Sequence, residues 1–281
     1  MQNKIIDKIR ALNIHNEYLN SETWINEAEF GFGCLTEYCK QISKSGKVLE
    51  VGCGTGILLA MLDQKFDNLN FVGIEPFASG WDSLPEYNEI NTIIKNNNIS
   101  IKNVCFEKFN TKTKYDLIYC VNVFEHLNSW RNFLLTATKW LSKEGKIVIL
   151  CPNYGFPYES HFNIPLIINK SFTYSIFKKS IIKKEKDMKI EGTWKSLNFV
   201  KKTEVIHFIK SNPSLELFDD ISITDVIIKR FMNDKEFGKR QMLMGVIAVF
   251  IQKIGLLKIL KLFPTILPYM KLEVRRVDKA K

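Results

Sequence analysis

Val48-Leu49-Glu50-Val51-Gly52-Cys53-Gly54-Thr55-Gly56-Ile57-Leu58-Leu59-Ala60-Met61-Leu62 decides the fold of this chain. A short aliphatic run ends in three glycines spaced by one residue, and a continuous apolar run follows. The order is strand, glycine loop, buried helix. Glycine lets the backbone pass close to a ligand, and the helix behind the loop offers free N–H groups. A nicotinamide fingerprint, G-x-G-x-x-G, would need glycine at residue 57. Ile57 stands there, so a dehydrogenase is only a weak third option.

The next strand, Asn70-Phe71-Val72-Gly73-Ile74, ends at Glu75-Pro76. An acid at the tip of the second strand of such a sheet binds the ribose hydroxyls of an adenosine, at the carboxyl ends where ligands sit. Val104-Cys105-Phe106 is expected as a weak third strand, and Tyr115 to Val121 as a fourth, nearly all apolar as a strand covered on both faces should be. Gly145 to Leu150 is a fifth. Helices are expected over residues 86–97, from Trp130 to Leu141, and over most of 1–43 with a break around Gly31 and Gly33. Strands alternating with helices predict an α/β, doubly wound, mostly parallel sheet. Beyond it, residues 152–165 read as a loop, Thr203 to Ser211 as a helix capped by Thr203, and Leu215 to Phe218 as a strand. Residues 222–263 read as long and helical, stopped by Pro264 and Pro268. Leu272 to Val277 alternates like a last, exposed strand.

The composition is that of a globular protein: 281 residues, 46% hydrophobic and 25% charged. Disordered and collagen-like chains are excluded. The six cysteines form no C-x-x-C pair, so neither a disulfide framework nor a structural zinc is expected, and a reducing cytoplasm fits. The first twenty residues lack the apolar core of a secretory signal. The net charge of +10 is uneven. Residues 1–169 carry 16 Lys and Arg against 18 Asp and Glu, and residues 170–281 carry 24 against 12. Ten lysines against three acids fall in residues 170–202 alone. A basic second half suggests an anionic partner.

Val48 to Gly56 resembles motif I of the class I S-adenosylmethionine-dependent methyltransferases. Ile74-Glu75-Pro76 resembles their ribose-binding motif II. Tyr115-Asp116-Leu117-Ile118 with Val121-Asn122-Val123-Phe124-Glu125-His126-Leu127 resembles motif IV, and Leu141-Ser142-Lys143-Glu144-Gly145-Lys146 the turn before the fifth strand. Four motifs in order cover residues 45–152. More weakly, Pro152-Asn153-Tyr154, Pro157 to Phe162 and Trp194 to Val200 resemble a bacterial branch related to the ubiquinone-biosynthesis O-methyltransferases, often found among surface-polysaccharide genes. The resemblance implies a Rossmann-like seven-stranded sheet whose last strand is antiparallel, in one domain over 1–281. Its parts would be an N-terminal helical segment (1–44), a cofactor-binding half (45–152) and a substrate half (153–281) with a helical insertion (222–263). It implies S-adenosylmethionine as cofactor, held by Glu50, Gly52, Cys53, Gly54, Thr55, Gly56, Glu75, Pro76, Phe106, Glu107, Asn122 and Val123. Glu50 matches the acidic position facing the methionine end.

The expected reaction is O-methylation of a small-molecule, saccharide or lipid-linked acceptor. His161, in a Pro- and aromatic-rich loop after the fifth strand, is the candidate base, with Tyr158 and Glu159 as companions. The alternative is a histidine that packs its loop. Some ubiquinone-pathway relatives hold a divalent cation with E-x-x-E-H at Glu125-His126. Here the first position is Asn122, so no metal is expected and the pair is read as bracing the fourth strand. An RNA methyltransferase and a cofactor-binding scaffold without turnover are the alternatives. Nucleic acid is the weaker partner, since no basic-aromatic RNA module is present. On a helical wheel, Lys253, Lys258 and Lys261 fall opposite Leu256, Ile259, Leu262 and Phe263. Residues 242–263 therefore read as an amphipathic contact with an anionic membrane, which would place the protein peripherally at the inner face.

Overall fold

Short aliphatic runs with both faces covered make up the centre of a parallel sheet, and a fifth, more exposed parallel strand, Ile99–Asn103, closes one edge. The computed structural model describes residues 4–11, 21–77, 84–94, 98–188, 190–234, 237–238, 245, 250 and 253–277. Central β1 (Lys47–Val51) is buried from Val48 to Val51 and pairs in parallel with β2 (Asn70–Glu75) and β4 (Tyr115–Val121). With β3 (Ile99–Asn103), β5 (Leu141–Pro152), β8 (Leu215–Asp219) and β9 (Tyr269–Arg276), the order is β3-β2-β1-β4-β5-β9-β8. A separate two-stranded hairpin, β6 (Tyr158–Glu159) and β7 (Ile164–Pro165), lies in the stretch expected to be loop.

Two helical layers cover the sheet. On one face α1 (Lys4–Ala11), α2 (Ser21–Lys40), α3 (Ile57–Lys65), α4 (Leu84–Ile94) and α9 (Ile223–Asn233) pack through Ile9, Leu35, Leu59, Ile90 and Ile223. On the other, α5 (Trp130–Ala137) and α8 (Lys202–Lys210) pack through Phe133, Leu134, Val205 and Ile209. The chain is therefore doubly wound, as the alternation of elements predicts. Among the described residues no helix is long and apolar enough to cross a membrane.

Five expectations need correcting. Strand β9 is antiparallel but not exposed: it lies between β5 and β8, with Met270, Leu272 and Val274 buried. The third strand is residues 99–103, because buried Phe106 turns the chain inward against Phe133 and Trp140. Helix α2 runs unbroken through Gly31 and Gly33. A side chain at Gly31 would sit 2.7 Å from Leu58 Cδ2, so glycine there serves close helix packing. Helix α8 starts at Lys202 behind Lys201, with no side-chain cap from Thr203. The long helix over 222–263 is absent as such. Helix α9 ends at Asn233, Gly255 turns with φ +73°, and one helical turn spans Leu257–Leu260. Much of 235–252 lies outside the described residues.

Two glycine substitutions separate backbone need from chance. Gly52 has φ +75°, and a Cβ there would lie 2.3 Å from Val123 Cγ2. Gly52→Ala should cost at least ~1–2 kcal/mol from the left-handed backbone alone. Gly33 has open space around its Cβ position, so Gly33→Ala should stabilise helix α2 by ~0.5–1 kcal/mol. Denaturant midpoints of both variants check the pair. Equal shifts in one direction would contradict it.

Candidate active site

The loop after β1 is fastened to the end of β2. The N–H groups of Gly52 and Cys53 both donate to Ile74 O, at 2.8 and 3.2 Å. Gly54 N–H donates to Glu75 Oε2 at 2.9 Å. Gly56, with φ +81°, then sets the first turn of α3. Burial raises the pKa of Glu75, and the Gly54 N–H bond works against that rise. Among the described residues, no bond ties Glu75 Oε1, and a Cβ at Gly54 would meet nothing within 4 Å. The loop and the acid thus border open space, which is what an adenosyl cofactor needs.

That space is a cavity of about 1040 Å³ at the carboxyl ends of β1, β2, β4 and β5. It exceeds the ~300–1,000 Å³ of ordinary ligand pockets, so it has room for a cofactor and an acceptor together. Glu50, Gly52, Cys53, Gly54, Thr55, Glu75, Pro76, Phe106, Asn122 and Val123 all line it. Gly56 and Glu107 are not on its wall. Gly56 shapes the loop from behind, and Glu107 accepts a hydrogen bond from Asn128 Nδ2 at 3.2 Å. Glu50 is buried, and desolvation pushes its pKa up to about 8 although Tyr119 O–H donates to it at 3.0 Å.

Sequence reading missed a polar network on the same wall. Asn122, at φ +55°, accepts from Tyr269 O–H at 2.7 Å and donates to Glu27 Oε2 at 3.2 Å. Arg230 grips the two Glu27 oxygens at 2.8 and 3.0 Å. Helix α2, the end of β4, the start of β9 and helix α9 therefore meet at one point. No local signal could reveal it, because Glu27 and Arg230 are 203 residues apart.

At the β4–β5 end, the hairpin brings His161 to the cavity. Buried Glu159 accepts from Tyr154 O–H at 3.1 Å, from Phe162 N–H at 2.7 Å and from His161 Nδ1–H at 2.6 Å. Burial alone would raise Glu159, but the attraction of His161 and these bonds outweigh it and hold its pKa down. Burial would lower His161, and Glu159 outweighs that and raises it. Of the two companions of His161, Glu159 holds it, whereas Tyr158 O–H donates to Asn163.

Glu125, His126 and His161 each offer one ligand atom, all within 4.8 Å of one another. Adjacent Glu125-His126 did not make a site in sequence; the fold adds the third group from a distant loop. Both carboxylate oxygens of Glu125 are buried with no hydrogen-bond partner among the described residues, so no hydrogen bond of this side chain braces β4 there. Desolvation pushes Glu125 up to about 7. Ser196 O–H donates to Thr193 O at 2.8 Å, so Ser196 Oγ accepts from His126 Nδ1–H, also at 2.8 Å. Burial, then repulsion by His161 and Lys170, lowers His126 to about 3. In the neutral rings, Nε2 of each histidine is left as the acceptor.

The family model described as a methyltransferase domain matches residues 33–211. An uncharacterized Mycobacterium tuberculosis protein is 27% identical over 215 residues, covering 76% of this chain and 73% of that one. The (S)-coclaurine N-methyltransferase of Thalictrum flavum is 25% identical over 147 residues, covering 50% of this chain and 39% of the plant protein. The ubiquinone biosynthesis O-methyltransferase of Rickettsia akari is 24% identical over 149 residues, covering 47% and 56%. A solved structure of the plantazolicin methyltransferase BpumL, in complex with a triazolic desmethylPZN analog and SAH, has the same fold. The TM-score is 0.51 at 14% identity, over 98% of this chain and 90% of that one. With the family model spanning well over half its length, the chain belongs to the class I S-adenosylmethionine-dependent methyltransferases, and its cofactor is S-adenosylmethionine.

Proposed function

We propose that this methyltransferase acts on a hydroxyl oxygen of a small-molecule, saccharide or lipid-linked acceptor, with His161 as the base. The observation that carries this reading is His161, held by buried Glu159, on the wall of the same cavity as Glu75 and the glycine loop. Bound S-adenosylmethionine supplies an electrophilic methyl group on a positively charged sulfur. The residues of this chain do the rest. Glu75 and the glycine loop hold the adenosine end, Glu50 faces the methionine end, and Phe106 and Val123 line the walls between. Glu159 fixes the ring of His161 with Nδ1–H inward, so Nε2 takes the hydroxyl proton as the oxygen attacks. Holding oxygen and methyl in line supplies much of the rate gain. The free cysteines suit the cytoplasm.

A second reading is favoured by the orphaned Glu125 carboxylate. Two imidazole nitrogens and one carboxylate suit a zinc, manganese or iron ion. Glu159 on His161 and Ser196 on His126 are the outer partners that such ligands usually have. An ion there would polarise the acceptor hydroxyl, and His161 would be its ligand rather than a base.

Glu75→Ala should weaken cofactor binding by roughly 1.5–3 kcal/mol per lost hydrogen bond to the carboxylate. Unchanged affinity by calorimetry would remove Glu75 from the ribose site. His161→Ala should lower turnover about 10²–10⁴-fold with cofactor affinity retained. Near-wild-type turnover would make His161 a packing residue. Chelation decides between the two readings. Activity that survives EDTA leaves His161 as the base; activity lost and restored by Zn²⁺ or Mn²⁺, with one ion per chain by elemental analysis, assigns the metal.

A further inference from the structure

Helix α6 (Lys170–Asp187) has an inner face and an outer face of different character. Thr173 and Ile181 are buried inward, toward the cluster of Tyr154, Phe162 and Trp194. Lys184 and Met188, at its C-terminal end, line the cavity. The outer face carries Phe172, Ile176, Lys179, Lys183 and Lys186, spaced by four, three, four and three residues, which is one side of a helix. Phe172 is 45% exposed and Ile176 51%. Ile168, just before the Asn169 cap, is 82% exposed. It also has φ +60°, a region that β-branched residues avoid. The backbone thus bears strain while an isoleucine stands in water. The apolar half of this face is followed along the helix by its lysines, and Lys183 is paired with Asp187.

We propose that this outer face of α6 docks on an anionic lipid bilayer. On this one face an exposed apolar patch lies beside lysines, so the apolar side chains can enter the acyl boundary while the lysines meet anionic headgroups. The charge complementarity extends beyond the helix, since residues 170–281 carry 24 basic against 12 acidic residues. A second exposed apolar set, Ile259, Leu262, Phe263 and Ile266, surrounds the turn whose Leu257 and Leu260 line the same cavity. Docking through 242–263 alone is weaker than the sequence implied, because Gly255 interrupts the helix and Lys261 is tied to Asp225 at 2.6 Å. The inference deepens the lipid-linked reading above, and its test does not depend on turnover.

The full-length protein is sedimented with vesicles of phosphatidylcholine and phosphatidylglycerol, and with phosphatidylcholine alone, at low and high salt. Wild type should pellet only with the anionic vesicles and be released by salt. Ile168→Ser/Phe172→Ser/Ile176→Ser should stay in the supernatant while binding S-adenosylmethionine as wild type does. Lys179→Glu/Lys186→Glu should weaken partitioning at least roughly 25-fold, about fivefold per lysine. Wild type remaining in the supernatant at low salt, or the serine variant pelleting like wild type, overturns the proposal. So does a serine variant that turns a dimer into a monomer without changing vesicle binding, which would assign the face to a second copy. Loss of cofactor binding by Glu75→Ala with vesicle binding intact keeps the two readings separate.

Discussion

No side chain can stand at Gly52, and the cofactor end of the molecule depends on that. The backbone there is left-handed, with Val123 from the end of β4 pressed against the place a Cβ would take. This close approach lets Ile74 O collect two N–H groups from the loop and brings Gly54 N–H onto Glu75. One glycine therefore joins three strand ends, those of β1, β2 and β4. Gly73, within β2, follows the same logic: a Cβ there would lie 2.6 Å from Cys53 Sγ. The loop holds its shape through its own N–H bonds and close packing, so Glu75 Oε1 stays available to a ligand.

The cofactor half was legible in sequence because its signals are local. The Val48–Gly56 run, Glu75 at a strand tip and the apolar Tyr115–Val121 run each declare themselves within ten residues, and ten of the twelve cofactor residues expected from the resemblance lie on the cavity wall. Gly56 and Glu107 do not, since a motif gives spacing but not the direction in which a residue faces. The acceptor half was legible only in part. His161 and Glu159 lie close enough in sequence to be paired. Glu125 and His126 reach His161 only because a hairpin folds over the ends of β4 and β5. The strand β9 read as exposed from its alternating pattern, yet β8 covers its outer edge. Sequence cannot see that neighbour, because the pairing crosses some fifty residues of chain.

The Glu27–Arg230–Asn122–Tyr269 network is where the two ends of the chain are held against the cavity. Asn122 pays for a left-handed backbone with three good partners: Leu150 O, Glu27 and Tyr269. Arg230 is buried, so its charge requires the Glu27 and Asp234 carboxylates. Helices α2 and α9 are thereby locked to the end of β4, one residue from the Val123 that packs on Gly52. The acceptor and cofactor regions of the cavity share this strut.

Three buried glutamates, Glu50 on the cavity wall and Glu125 and Glu159 beside residues that line it, all meet desolvation and come out differently, and the reason is pairing. Glu159 has a cationic-prone histidine, a tyrosine hydroxyl and a backbone N–H, and it stays ionised. Glu50 has one neutral hydroxyl donor, which does not offset burial, and its pKa moves to about 8. Glu125 has no side-chain donor among the described residues; burial pushes it up, and His161 and its own backbone N–H offset that only in part. A carboxyl whose folded pKa lies above its unfolded value binds its proton more tightly in the native state. Ionisation of Glu50 therefore costs stability as pH rises from the ordinary carboxylate range through about 8. The same ionisation becomes favourable once a cation lies against the carboxyl. Glu50 lines the cavity and Glu125 is fully buried, and neither finds enough pairing to offset its burial, whereas Glu159 is completed by the protein itself. Pairing rather than depth therefore separates the two carboxyls pushed up from the one held down beside a histidine.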